Sequence, residues 1–161
     1  MAGLATGAMT NFEFADAPRP LPEAHFVDAG GDAVSLSRFR GKVVLLNFWA
    51  TWCGPCKREM PDLDRLQAEL GGSDFQVVAL SSDRGGPAVV QPFYDDVGVQ
   101  HLAVYNDRRA KVQRDFGVRG LPTTVLIDRQ GRELGRLVGP AHWGSPEALA
   151  LLREVIAAGG S

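Results

Sequence analysis

The sequence predicts a single α/β domain with a mixed sheet flanked by helices, and three observations predict it. Two apolar runs, Val43–Phe48 and Phe75–Leu80, bracket a segment in which Met60, Leu63, Leu66 and Leu70 recur at helical spacing. Such a strand–helix–strand unit implies a parallel pair joined by a right-handed crossover. Downstream, the apolar stretch that ends at Asp128 meets the turn Arg129-Gln130-Gly131-Arg132 and then residues 133–138, which reads as an antiparallel hairpin. Finally, 161 residues at 45% hydrophobic and 22% charged suffice for one packed core, and no internal repeat marks a second domain.

Each element has its own local warrant. Residues 1–22 are small, polar and proline-spotted, and are expected to form a flexible lead-in from which Phe12 and Phe14 can dock. A short hairpin follows, 25–28 against 33–36, around Gly30-Gly31. Ser37–Lys42 reads as a turn with a brief helical twist. The run Val43–Phe48 is continuously apolar, as suits a strand covered on both faces. Gly71-Gly72 stops the helix after it. Residues 88–97 read as a helix that Pro92 can kink, His101–Tyr105 as a short strand, and 110–116 as a short helix. Ser145-Pro146-Glu147 combines an N-cap residue, a proline at the first helical position and an acid beside it; Leu149, Leu152 and Ile156 are the expected inward stripe.

Charge and composition narrow the function classes. A net charge of −2 supplies no broad basic field for nucleic acid, and no apolar run approaches the length that spans a bilayer. The first residues lack the basic and apolar regions of an intact signal peptide. That leaves two expectations: a cytoplasmic protein, or a soluble domain whose anchor or signal is absent from this chain.

The only two cysteines, Cys53 and Cys56, stand where the first apolar strand hands over to a helix, in Trp52-Cys53-Gly54-Pro55-Cys56. Residues three apart are neighbours on a helix and can reach disulfide spacing. The helix N-terminus favours a thiolate at Cys53, and Lys57 and Arg58 add positive potential. Cys53 is thus expected to be the exposed nucleophile and Cys56 the sheltered resolving thiol. A structural zinc site would need two further ligands, and His25, His101 and His142 are scattered singly. A c-type haem site would need a histidine where Lys57 stands. A static disulfide would close too small a loop to constrain the unfolded chain much.

Two further residues join the candidate site. Glu59 follows Cys56 by three and so continues its row on the helix; partly buried, its pKa should rise and let it accept a thiol proton, whereas the plainer reading is a surface glutamate. Pro122, in Gly120-Leu121-Pro122-Thr123, opens a central strand although it cannot donate to the ladder. A cis Leu121–Pro122 bond would explain this and leave the Leu121 backbone free to pair with an extended substrate; a trans proline at a strand start is the alternative.

These motifs resemble the thioredoxin superfamily. Phe48–Lys57, Gly120–Thr123, the approach Leu36–Lys42, the continuation Lys57-Arg58-Glu59-Met60-Pro61 and the ending Gly139–Trp143 are similar to the TlpA, ResA and CcmG branch, and to TlpA most. The resemblance covers roughly residues 25–158, which makes 23–161 a thioredoxin-like domain. It implies a thioredoxin-like fold with an N-terminal hairpin and a helix–strand insertion over about 84–106. It further implies Cys53 and Cys56 as the redox pair, Pro122 as the cis proline of a substrate groove, Pro61 as a helix kink, and Trp52, Gly54, Pro55 and Leu121 as groove residues. Asn47 departs from the buried aspartate of thioredoxin, so proton acceptance is expected at Glu59 instead.

The function so implied is a protein-disulfide reductase at the periplasmic face of the bacterial inner membrane, with no cofactor or metal. Its expected partners are copper-site assembly factors of cytochrome oxidase or, alternatively, apocytochrome c, with a membrane-embedded electron donor, no nucleic acid, and a monomeric state. Two rivals share the fold. A peroxidase would place a threonine or serine before a lone cysteine, where Trp52 stands. A copper chaperone would want wider cysteine spacing and a nearby histidine, for which His142 is the candidate.

Overall fold

The computed structural model describes residues 2–159. The strands are β1 (Glu13–Arg19), β2 (His25–Asp28), β3 (Ala33–Ser35), β4 (Val43–Trp49), β5 (Phe75–Ser81), β6 (Tyr105–Asn106), β7 (Thr123–Ile127) and β8 (Glu133–Val138). The helices are α1 (Gly54–Leu70), α2 (Val90–Val97), α3 (Lys111–Asp115) and α4 (Pro146–Ala157). Among the described residues the strands form one mixed sheet in the order β1-β8-β7-β4-β5-β6-β2-β3. β4, β5 and β6 run parallel; β7 is antiparallel to β4, and β8 to β7.

β4 is buried along its whole length, and its two-residue period divides the molecule into two cores. Val43, Leu45 and Trp49 face a layer that contains Met60, Leu63 and Leu66 of α1 and Leu151, Leu152 and Val155 of α4. Val44, Leu46 and Phe48 face the opposite layer, with Val112, Phe116 and the hairpin residues Phe26 and Val34. Asn47 is therefore the one polar residue on the α1 side of this strand, a fact of register that matters below.

The register also gathers loops at one edge. Trp49 pairs with Ser81, Ser81 with Asn106, and Phe48 with Thr123, while Thr123 pairs with Val138. The segments that follow β4, β5, β6 and β8, and the one that precedes β7, all meet at the mouth of α1.

Three expectations need correction. The flexible lead-in is instead packed: Phe12 docks as expected, but Met9 is buried with it in the α1–α4 core, and β1 extends the sheet beside β8. Burying two such side chains is worth about 1.5–3 kcal/mol each. Gly135 allows the approach, because a Cβ there would lie 2.5 Å from the Glu13 carbonyl oxygen and 2.7 Å from the Phe12 ring. The strand expected over His101–Tyr105 shrinks to Tyr105–Asn106. The reason is Asp64, whose carboxylate captures the amides of Gln100, His101 and Leu102 at 2.7–3.3 Å, so they are not free for a ladder. In α4, Ser145 caps the helix by accepting from the Ala148 amide at 3.2 Å. The buried row is Ala148, Leu151, Leu152 and Val155, leaving Leu149 and Ile156 half-buried at its flanks. A small alanine contributes one contact of that row, which hid the phase of the helix from a reading of large apolar residues.

Candidate active site

Cys53 ends the turn after β4 and caps α1. Its backbone is extended, with φ −93° and ψ 110°, and its Sγ accepts from the Cys56 amide at 3.3 Å. Pro55 sits in the first turn of the helix, where a missing N–H costs nothing. The two cysteines are joined as a disulfide, with Cα atoms 5.2 Å apart. Cys53 keeps 7% of its surface in contact with solvent and Cys56 none. Cys53 is thus less exposed than expected, but it is the one a thiolate could attack.

Around the pair, Trp52 is 70% exposed and Gly54 and Pro55 are half-buried. The Leu121–Pro122 bond is cis. Pro122 is buried, its carbonyl accepts from the Gly139 amide at 2.9 Å, and Thr123 Oγ1 donates to the Gly120 carbonyl at 2.8 Å. The β4–β7 register brings this loop to the edge that carries the cysteines.

Glu59 lies one helical turn beyond Cys56 and is buried, with 4% of its surface exposed. Its carboxyl accepts from the Ala141 amide at 2.7 Å and from Asn47 Nδ2 at 3.4 Å. Burial raises its pKa from the ordinary 4.5 to about 7, against the lowering pull of Ala141, Asn47 and the Trp143 indole; Asp62 raises it further. Desolvation wins because the carboxyl has few strong donors.

The network behind it was only partly legible. Asn47 cannot accept a proton, yet its Nδ2 donates to Glu59 and, at 3.0 Å, to Thr124 Oγ1. It orients the acid. The Ala141 amide gave no sequence signal, since any residue there supplies one. Asp83 lies in the segment between β5 and α2. It is buried, accepts from the Thr51 amide at 3.1 Å and the Thr51 hydroxyl at 2.6 Å, and takes the Ser81 hydroxyl as well. Asn106 Nδ2 donates to the Asp83 carbonyl at 3.0 Å, which ties a third loop to the same support. Thr51 stands two residues before Cys53, so Asp83 holds the base of the cysteine turn. His142 is exposed, and among the described residues no group of three or more His, Cys, Asp or Glu side chains converges as a metal centre would.

A dithiol of this build can exchange with an external disulfide through one accessible sulfur while the second waits behind it. Comparisons with known proteins agree. The Redoxin family model matches residues 16–152. The thiol-disulfide oxidoreductase ResA of Bacillus thuringiensis (strain Al Hakam) is 33% identical over 121 residues, covering 75% of this chain and 69% of the relative. The ResA of Halalkalibacterium halodurans is 36% identical over 104 residues, 65% of this chain and 58% of the relative. Among solved structures, one assigned as the thiol:disulfide interchange protein DsbE of Chlorobium tepidum superposes with a TM-score of 0.73 at 34% identity, covering 91% of this chain and 99% of the other. The exposed lipoprotein thioredoxin Etrx1 of Streptococcus pneumoniae gives 0.67 at 28% identity, over 83% and 98%. With its Cys53–Cys56 pair on a thioredoxin-like fold, the chain belongs to the Redoxin family as a thiol-disulfide oxidoreductase of the ResA/CcmG type.

Proposed function

We propose that the chain reduces disulfides in partner proteins outside the cytoplasm, with Cys53 as nucleophile, Cys56 as resolving thiol and Glu59 as proton acceptor. The observation that carries this reading is the gradient along α1: a solvent-touching sulfur at its N-terminus, a sealed one behind it, and a buried carboxyl poised near pH 7 next in line. The Cys53 thiolate attacks one sulfur of the substrate disulfide; that bond breaks, and the other substrate sulfur leaves as a thiolate. A mixed disulfide now joins Cys53 to the substrate. Cys56 gives its proton to Glu59 and attacks Cys53 Sγ, forming the Cys53–Cys56 disulfide and releasing the second substrate thiolate. Two electrons have passed to the substrate, and a dithiol donor in the membrane must restore them. Trp52, Gly54, Pro55, Leu121 and Pro122 form the groove, in which the Leu121 backbone pairs with an extended substrate segment.

The TlpA-like continuation Lys57–Pro61 and ending Gly139–Trp143 support copper-site assembly factors of cytochrome oxidase as the substrates, met at the periplasmic face of the inner membrane. The resemblance of Phe48–Lys57 and Gly120–Thr123 to the ResA and CcmG branch supports apocytochrome c as the second reading. No described helix is long and apolar enough to cross a membrane. Replacing Cys56→Ser should leave the mixed disulfide standing, so that the partner can be captured from cell-envelope extracts and identified after release with a reductant. Capture of an oxidase assembly factor supports the first reading and apocytochrome c the second; no adduct, with no disulfide reduction by the wild type, removes both.

A further inference from the structure

Arg84, Arg108 and Arg109 line one surface pocket at the edge of the sheet that carries the cysteine turn. All three are exposed, and among the described residues none has a carboxylate within ion-pair distance. The carboxylates that could neutralise them are occupied elsewhere. Asp83 is buried against Thr51 and Ser81, and Asp107 is buried with its oxygens on the amides of Lys111 and Gln113 at 3.0 and 3.2 Å. The loop around Arg84 is fastened to the base of the cysteine turn through Asp83 and Thr51, and the loop around Arg108 is fastened in turn to the Arg84 loop by Asn106 Nδ2, which donates to the Asp83 carbonyl. Gly86 completes the joint. Its φ is +82°, and a Cβ there would lie 2.7 Å from the Arg108 guanidinium, so this arginine packs over the bare backbone of the other loop. Arg119, Lys57 and Arg58 are exposed on neighbouring segments of the same edge. A chain of net charge −2 thus presents concentrated positive charge at the sheet edge that carries its dithiol.

We infer that this arginine cluster is a docking surface for an acidic segment flanking the target disulfide of a protein substrate. The inference deepens the proposed reductase reading and rests on it. Arginine forks suit carboxylates, and charges at the rim of a site act mainly on the rate of encounter. A peptide with its disulfide in the groove would meet the cluster with residues a few positions away, because the Arg84 loop is one hydrogen bond removed from the turn that bears Cys53 and the Arg108 loop two.

The test uses two disulfide-bonded peptides of equal length, one flanked by glutamates and one by uncharged residues, with the wild type and the triple variant Arg84→Gln, Arg108→Gln, Arg109→Gln. At low ionic strength the wild type should reduce the acidic peptide about tenfold faster than the variant does, while both reduce the neutral peptide equally. Raising the salt should erase the wild-type preference, a readout that needs no variant. Equal rates for both peptides in the wild type, or equal slowing of both in the variant, would overturn the inference. So would loss of binding to anionic lipid vesicles in the variant without any peptide preference in the wild type, since that assigns the cluster to a membrane surface. Failure of the wild type to reduce either peptide would instead remove the reductase reading beneath it.

Discussion

Glu59 and Asp83 are both buried carboxyls, each 4% exposed, one a helical turn beyond Cys56 and the other bonded to the turn before Cys53, yet the chain furnishes them very differently. Glu59 has one strong donor, the Ala141 amide at 2.7 Å, a distant one, Asn47 at 3.4 Å, and the Trp143 indole nearby without a formed hydrogen bond. Asp83 takes the amide and hydroxyl of Thr51 and the hydroxyl of Ser81. A carboxyl surrounded by donors is a brace, since losing it orphans every donor. One that is buried but poorly served is easily protonated and can pass a proton on. The difference teaches that burial alone does not make a carboxyl a candidate for proton transfer; burial with too few partners does.

The sharpest way to break this contrast is to remove the brace. Asp83→Ala should destabilise the oxidised protein by about 3–5 kcal/mol in denaturant unfolding, because it strands the Thr51 amide and two hydroxyls. A loss under about 1 kcal/mol would show that the network is dispensable. Asp83→Asn should recover part of the deficit.

The second effect belongs to Glu59. Between its ordinary pKa of 4.5 and its folded value of about 7, the folded chain holds a proton that the unfolded chain has released. Its contribution to stability is therefore fully present below about pH 4.5 and lost as pH rises through 7, a span of about 3 kcal/mol. Glu59→Gln should flatten that slope, measured on the oxidised protein across the same pH range. It should also slow disulfide exchange about 100-fold at pH 7 if the acid takes the Cys56 proton. An unchanged slope would mean that the carboxyl titrates normally, and an unchanged rate that the proton goes elsewhere.

The smallest effect tests the link between strand and acid. Thr124→Val removes the hydroxyl that holds Asn47 at 3.0 Å and should cost about 1 kcal/mol, with a modest shift in the pH dependence of exchange. The stability loss without any pH shift would show that Asn47 fills space and does not orient Glu59.

Much of this is legible in the sequence. The alternation along Val43–Phe48 and the helical spacing of Met60, Leu63 and Leu66 describe short-range periodicity, which neighbouring residues impose on each other. Less legible was the lead-in. Its proline-spotted composition reads as loose chain, but Met9 and Phe12 fill the core beside α4, and Gly135 admits β1 at the far edge of the sheet. Nothing local to residues 1–22 signals an acceptor more than a hundred residues away.

By itself the sequence determined the α/β class, the cysteine pair at a strand-to-helix junction, and the row Cys53–Cys56–Glu59, because all of these follow from spacing along one segment. Only the tertiary structure decided that Glu59 is buried with few donors, that Asn47 faces it by strand parity, that Ala141 reaches it from 82 residues away, and that Arg84, Arg108 and Arg109 converge. Those properties depend on solvent exclusion and on the registers of β4 through β8. Such long-range pairings form only once distant segments close on one another.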